Sequence, residues 1–326
     1  EIVPEDMIVE EDMVVTVSRS GYVKRNPVSL YRSQRRGGKG IKGMGTKEED
    51  FVEQLFVAST HDHMLFFTNT GRCHWLKVHE LPQAGRASRG KAAVNLLQLQ
   101  PGETLTATLP IRRFEPERYL LMATRKGIIK KTPLSAFSNP RSGGIRAMLL
   151  DEGDELIAVR QTDGDREAFL ASRQGKAIRF HEREVRPMGR AARGVRGIRL
   201  AKGDEVIGMV VISPGNTILT ATERGFGKRT EVESYRKTRR GGRGIINLKV
   251  TERTGPVVGI RQVYIDDEFM LISGEGQVIR SKVKDVPSYS RAAQGVKLMN
   301  LEEGDRVAAV ARLEEEGEGN EGNGKD

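Results

Sequence analysis

The sequence predicts an all-β protein, a propeller-like disc of six four-stranded antiparallel blades. Three landmarks, each recurring about every 50 residues, carry this reading: glycine-closed hairpin turns, basic glycine loops at a set distance after them, and acidic turns that open valine-rich strands. The hairpin glycines are Gly21, Gly71, Gly127, Gly175, Gly225 and Gly276, spaced 50, 56, 48, 50 and 51 residues apart. Two polar residues and then glycine, as in Arg19-Ser20-Gly21 and Glu223-Arg224-Gly225, is the pattern of a three-residue hairpin loop with glycine in the left-handed position.

An apolar run precedes each turn, for example Met13-Val14-Val15-Thr16-Val17, Met64-Leu65-Phe66-Phe67 and Phe269-Met270-Leu271-Ile272. A shorter run follows, ending in a cation or histidine: Lys24, His74, Lys130, Arg179, Lys228 and Arg280. These pairs read as half-buried hairpins. The second landmark, Gly40, Gly90, Gly144, Gly194, Gly244 and Gly295, stands 19, 19, 17, 19, 19 and 19 residues after the turn glycines. The third includes Gly153-Asp154-Glu155-Leu156, Gly203-Asp204-Glu205-Val206 and Gly304-Asp305-Arg306-Val307, with Pro101-Gly102-Glu103 and Thr254-Gly255-Pro256-Val257 as weaker copies and Glu49-Asp50-Phe51 in the first unit. Four strands per unit follow, with no competing helical pattern. Six such units closing about an axis remove their sheet edges by radial repetition.

The chain has 326 residues, 37% hydrophobic and 30% charged, with a net charge of +10. Both ends are acidic. Residues 1–12 hold six acids and no base, and residues 313–326 hold six acids and Lys325, so setting aside −6 and −5 leaves +21 on residues 13–312. The expected domains are therefore an acidic leader or part of the closing blade at 1–12, the six-bladed body at 13–312, and an acidic disordered tail at 313–326. A body this basic points to a polyanionic partner, duplex nucleic acid first. No apolar run approaches the ~20 residues of a membrane span, the acidic start is no signal peptide, and no membrane partner is expected. The single cysteine, Cys73, excludes an internal disulfide and suits a reducing cytoplasmic setting.

The densest basic loop is Gln34-Arg35-Arg36-Gly37-Gly38-Lys39-Gly40, nearly repeated at Thr238-Arg239-Arg240-Gly241-Gly242-Arg243-Gly244. Glycine lets main-chain N–H groups approach a rod-like anion while flanking cations meet its charge. In a closed ring, chemistry repeated along the chain becomes chemistry repeated around the circumference. The candidate contacts on that rim are, after the turns, Lys24, Arg25, Lys130, Lys131, Arg179, Lys228, Arg229 and Arg280. In and beside the loops they are Arg89, Lys91, Arg141, Arg146, Arg190, Arg193, Arg196, Arg239, Arg240, Arg243, Arg291 and Lys297. Bending duplex around so small a body costs on the order of ten kcal/mol, which counterion release at many phosphates can offset. Such binding reads no sequence, and the loops lack the interleaved aromatics that single-strand platforms use.

Gln34-Arg35-Arg36-Gly37-Gly38-Lys39-Gly40, with the lead-in Gly21-Tyr22-Val23-Lys24-Arg25, resembles the box heptad of the C-terminal, DNA-wrapping domain of the bacterial DNA gyrase A subunit. The resemblance spans residues 7–312. It implies a six-bladed β-pinwheel, in which neighbouring blades exchange strands, with the box in the loop that joins the first and last blades. It further implies wrapping of double-stranded DNA in a positive sense, which lets gyrase introduce negative supercoils with ATP hydrolysed by its other type of subunit. The implied partners are the rest of the gyrase A polypeptide and the gyrase B polypeptide in an A2B2 complex, in the bacterial cytoplasm at the nucleoid, the isolated domain being monomeric. The implied roles at the box fall on Gln34, Arg35, Arg36, Gly37, Gly38, Lys39 and Gly40. The acidic tail is like the variable tails of that family, which can compete with DNA.

No breakage-reunion tyrosine motif or ATP-binding motif is present, so catalytic inertness is expected of the piece alone, without cofactor or metal. His61, His63, Cys73, His74 and His79 cluster in the second unit, but their spacing matches no standard zinc finger, and adjacent Cys73 and His74 face opposite sides of a strand. Two alternatives remain. One is the matching domain of the topoisomerase IV A subunit, acting in decatenation and substrate selection, against which the intact heptad argues. The other is a propeller serving protein interaction, against which the +21 surplus and the missing repeat signatures argue.

Overall fold

Strand pairing turns the periodic sequence into a ring. The computed structural model describes residues 5–28, 52–85 and 88–313, and within them 23 strands form six antiparallel sheets. Each repeat opens with a hairpin. These are β1 (Asp12–Ser18) with β2 (Tyr22–Pro27), β4 (His63–Thr68) with β5 (Arg72–Lys77), and β8 (Tyr119–Thr124) with β9 (Ile128–Pro133). The next three are β12 (Glu167–Ser172) with β13 (Lys176–His181), β16 (Thr217–Thr222) with β17 (Phe226–Glu231), and β20 (Glu268–Ser273) with β21 (Val278–Lys282). The turn glycines take the left-handed conformation, as at Gly127 with φ +92°, which only glycine adopts freely.

The innermost strand of each sheet pairs with the first strand of the hairpin and, from the second repeat on, follows the third sequence landmark: β3 (Val52–Ser59), β7 (Leu105–Ile111), β11 (Leu156–Thr162), β15 (Val206–Val211), β19 (Val257–Val263) and β23 (Val307–Leu313). These strands form the innermost layer. From β7 to β23 each packs on the next, and β23 returns to β3.

The outermost strand of each four-stranded sheet is exchanged. β6 (Lys91–Ala92) follows the second hairpin yet pairs with β2 of the first. Likewise β10 (Ile145–Arg146) pairs with β5, β14 (Val195–Arg196) with β9, β18 (Ile245–Ile246) with β13, and β22 (Val296–Lys297) with β17. Each of the second to sixth repeats thus lends its two-residue strand to the blade before it, the strand exchange of a β-pinwheel. Five sheets have four strands, and the sixth has three among the described residues. Among the described residues the repeats also carry a four-residue helical turn, Ala93–Leu96, and short 3-10 turns after the hairpins.

Blades are covered on both faces, which is why their hairpin strands are apolar at consecutive positions rather than alternately polar. In β4, Leu65 and Phe67 pack toward the third blade with Leu120 and Met122, while Met64 and Phe66 pack toward the first with Val15 and Val17. In β8, Leu121 and Ala123 turn to the fourth blade with Leu170. Successive side chains of a strand point to opposite faces, so each hairpin is part of two inter-blade cores. Residues 5–11 of the leader lie against the second repeat: Thr60 Oγ1 donates to the Val9 carbonyl at 2.7 Å, and Lys77 Nζ lies 3.2 Å from Glu5 Oε1.

Candidate nucleic-acid interface

In each four-stranded sheet the exchanged strand is the outermost, and the basic loop leads directly into it. The second sequence landmark is therefore the rim. Its glycines bring the loop onto the hairpin of the preceding blade. Gly295 has φ +80°, and a Cβ there would sit 2.3 Å from the Gly227 carbonyl oxygen. Gly295→Ala is expected to destabilise the fold by about 3 kcal/mol through left-handed strain and this backbone clash, measured as a drop in the urea midpoint.

Adjacent rim loops are stitched together by arginines four residues before the loop glycine. Arg190 donates to the Arg146 carbonyl at 3.0 Å, Arg240 to the Arg196 carbonyl at 2.7 Å, and Arg291 to the Ile246 carbonyl at 2.8 Å. Each bond joins a loop to the exchanged strand contributed by the previous repeat. Around this belt Lys91, Arg141, Arg146, Arg196, Arg239, Arg243 and Lys297 are exposed. Arg89 lies over the Tyr22 ring at 5.5 Å. Arg193 is held by two 2.6 Å bonds to Asp151, whose carboxyl that hydrogen bond keeps below the usual range.

The cations after the turns require correction. They occupy two registers, three and four residues past the turn glycine, and all but the exposed Arg280 are buried or bonded to a neighbouring blade. In the first register Lys24, Lys130 and Lys228 are buried. Lys24 Nζ donates to Gly85 and Ser88 carbonyls at 3.3 and 2.8 Å, Lys130 Nζ to Ala147 and Arg190 carbonyls at 2.6 and 2.8 Å, and Lys228 Nζ to Ser290 and Arg291 carbonyls at 2.7 and 2.5 Å. These ammonium groups hold rim loops from beneath and are inaccessible to a phosphate. Burial, with the adjacent Arg190 and Arg291 charges, pulls Lys130 down to about 8 and Lys228 to about 7.

In the second register the cations reach the 3-10 turn of the next blade. Arg25 donates to the Leu81 carbonyl at 2.8 Å, Arg179 to Val232 and Tyr235 carbonyls at 3.0 and 2.9 Å, and Arg229 to the Val286 carbonyl at 2.7 Å. Lys131, also buried, donates to the Glu182 carbonyl at 3.0 Å and faces its carboxylate at 3.5 Å. Arg280 is exposed but ion-paired with Glu268. The heptad 34–40 lies outside the described residues.

Asp151 meets the loops at Arg193 and Glu184 at Arg240, and other paired acids gather beside the hairpin turns. Arg125 is flanked by Glu155 and Glu205 at 3.4 and 3.8 Å, and Glu223 bridges Arg173 and Arg306 at 3.3 and 2.7 Å. Cations at that edge are matched. On the rim, Arg146, Arg196, Arg243 and Lys297 have no ion-pair partner among the described residues, so charge of one sign accumulates there. Among the described residues no group of three or more histidines, cysteines or acids could hold a metal, and no helix is long and apolar enough to cross a membrane.

The family described as DNA gyrase C-terminal domain, beta-propeller matches six consecutive segments, 12–59, 62–112, 118–163, 166–213, 216–263 and 267–314. The chain belongs to this family. It is 48% identical over 311 residues to the DNA gyrase A subunit of Klebsiella oxytoca, an alignment that covers 95% of this chain and 36% of that one. To the same subunit from Clostridium acetobutylicum it is 47% identical over 309 residues, covering 95% and 37%. The chain thus spans a little over a third of the length of these relatives. Among solved structures, the C-terminal domain of DNA topoisomerase IV superposes with a TM-score of 0.83 at 30% identity, over 94% of this chain and 95% of that one. A DNA gyrase A C-terminal domain superposes with a TM-score of 0.73 at 22% identity, over 93% and 100%, and shows the shared fold.

Within this gyrase-type domain the structure adds two candidate DNA-binding side chains that the spacing argument passes over. A cleft of about 500 Å3 beside the sixth loop is lined by Lys249 and Arg253 together with Lys297. Lys249 is five residues past Gly244, as Arg199 is past Gly194, a periodic signal that could have found it. Arg253 packs over the Phe226 ring at 5.2 Å, and nothing in the repeat marks it.

Proposed function

We propose that this domain binds duplex DNA without sequence preference and wraps it around the basic rim, and that within the whole enzyme this wrap lets gyrase introduce negative supercoils. The observation that carries the reading is the belt of loops joined by Arg190, Arg240 and Arg291, bearing cations without acidic partners on one curved edge. A continuous arc of this kind suits a bent duplex, since binding spread over many phosphates offsets the bending energy. The piece contributes no chemistry of its own in this reading. Strand breakage and ATP hydrolysis belong to the rest of the gyrase A polypeptide and to the gyrase B polypeptide of an A2B2 complex, acting on DNA in the bacterial cytoplasm at the nucleoid.

The heptad 34–40 is assigned the strongest rim contact and the closure of the ring. Its Arg36 stands four residues before Gly40, as Arg190, Arg240 and Arg291 stand before their loop glycines. Gly40-Ile41-Lys42 has the sequence position from which every other repeat lends its exchanged strand.

A second reading is favoured by the superposition on the topoisomerase IV domain: substrate selection and decatenation in that enzyme. Ligation of nicked circular DNA in the presence of the domain separates them. Wrapping should shift the topoisomer distribution toward positive linking difference, and replacing residues 34–40 by alanine should abolish the shift. An unshifted distribution with the native heptad, under conditions where duplex is bound, would remove the wrapping claim.

A further inference from the structure

Two features of the molecule are unaccounted for by a rim of surface charges: a pair of buried lysines without acidic partners, and their placement directly under rim arginines. Lys130 and Lys228 are both 0% exposed, and neither has an ion-pair partner among the described residues. A buried ammonium without a counter-ion is costly, yet it occurs twice at the same register, in the third and fifth repeats. In both places the ammonium donates to the backbone carbonyl of the residue whose guanidinium stitches the rim, Arg190 and Arg291 respectively.

We propose that Lys130 and Lys228 are positioning residues that couple phosphate binding on the rim to proton uptake, each holding a basic loop by its carbonyls and adding a charge beneath that loop's arginine. The inference rests on the wrapping reading. Its physics is that of interacting sites. With the rim empty, Arg190 and Arg291 repel the charge below them, and burial disfavours it further, so Lys228 sits at about 7 and Lys130 at about 8. A phosphate on the arginine cancels that repulsion and attracts the ammonium, raising both values. A neutral amine still has two N–H groups for its two carbonyls, so deprotonation leaves the loop in place and removes only the charge.

The charged group beside Lys228 is Arg291 and the one beside Lys130 is Arg190, and the other titratable groups that sense these arginines do not supply the effect. Near Arg291 the Tyr235 phenol donates to Asn247 at 2.5 Å and is pushed up by burial. Near Arg190 the Cys73 thiol is also pushed up by burial. Neither tyrosine nor thiol changes charge between pH 6 and 9 in this state. Arg229 and Lys131, next in sequence, point to the opposite face of their strands.

The sign is fixed by linkage. Binding that raises a lysine pKa takes up protons between the free and bound values, so affinity falls as pH rises through that window. A rise of about one unit per lysine corresponds to roughly a tenfold loss of affinity per lysine from the low-pH to the high-pH limit. It also corresponds to uptake of roughly half a proton or more per chain at pH 7.5. Calorimetric titration of the 326-residue chain with duplex DNA, in two buffers of different ionisation enthalpy, reads the uptake directly.

The expected result is net uptake at pH 7.5 that disappears in Lys130→Met/Lys228→Met. Lys228→Arg, permanently charged, should bind more tightly than the native chain at pH 9. A merely structural role for the lysines would give weaker binding in the methionine variant without proton uptake in the native chain. Should the double variant fail to fold, NMR of 13Cε-labelled lysine in the native chain reads the two pKa values with and without DNA, and unchanged values overturn the proposal. Binding without buffer dependence, or uptake that survives the double substitution, overturns it too. Absence of duplex binding at every pH would instead sink the wrapping reading, and this one with it.

Discussion

Changing Arg146, Arg196, Arg243 and Lys297 together to glutamine is expected to lower affinity for duplex DNA on the order of a thousandfold at 0.1 M salt while leaving the fold intact. The four side chains are exposed on exchanged strands and loops of the third to sixth repeats, with no acidic partner among the described residues. Each phosphate neutralised on binding contributes about 0.9 to the slope of log K against log salt. With four phosphates no longer neutralised, that slope should flatten by about 3.6, which at 0.1 M salt is a loss of about three to four orders of magnitude in all. Surface substitutions of this kind usually change stability by about 0.5 kcal/mol or less, so the urea midpoint should barely move. Gel shifts at several salt concentrations make the measurement. An unchanged slope would mean that DNA, if it binds, uses another surface.

Glu182→Ala should have the largest effect on stability, a loss of about 3–5 kcal/mol, because it leaves Lys131 charged and buried without its partner. Glu182 is 0% exposed and Lys131 4%. The carboxylate accepts hydrogen bonds from Thr162 Oγ1 and, at 3.0 Å, from the Arg166 backbone N–H, besides facing Lys131 at 3.5 Å. This pair ties the third blade to the fourth. Lys131→Met/Glu182→Leu should recover much of the loss, since the cost arises from the uncompensated charge rather than from a strong net attraction. Denaturant unfolding of both variants decides the matter. Equal loss in the single and double variants would show that packing, not charge, is at stake.

The hairpins were legible because each turn needs a left-handed residue and glycine supplies it, at Gly71 and Gly175 as at Gly127. The rim loops were legible for a related reason. Their glycines must let one backbone touch another, as Gly244 does with a hypothetical Cβ 2.4 Å from the Ala177 carbonyl oxygen. Steric exclusions of this sort act within a few residues and leave a periodic mark in the chain. The post-turn cations misled because the mark is the same for a lysine in solvent and a lysine under a loop. Lysine is almost never fully buried unless paired, so exposure was the reasonable expectation for Lys24, Lys130 and Lys228. Loop carbonyls, most of them from the next repeat, overturn it, and no local pattern in the sequence records their approach. Taking Lys228 and Arg179 as equivalent also hid the fact that they lie in adjacent registers, hence on opposite faces of their strands.

Repeat number, strand positions, the basic loops and the surplus of positive charge were thus properties of the chain itself, because glycine stereochemistry, side-chain alternation and net charge are local or additive. Which strand each blade borrows, which cations hold the ring together and which remain on its edge arose only when six hairpins packed face to face. Burial and carbonyl geometry are set there by residues about fifty positions away, as in Lys130 beneath Arg190 and Arg179 against Tyr235. A contact between one repeat and the next depends on the shape of both, and neither repeat alone encodes it.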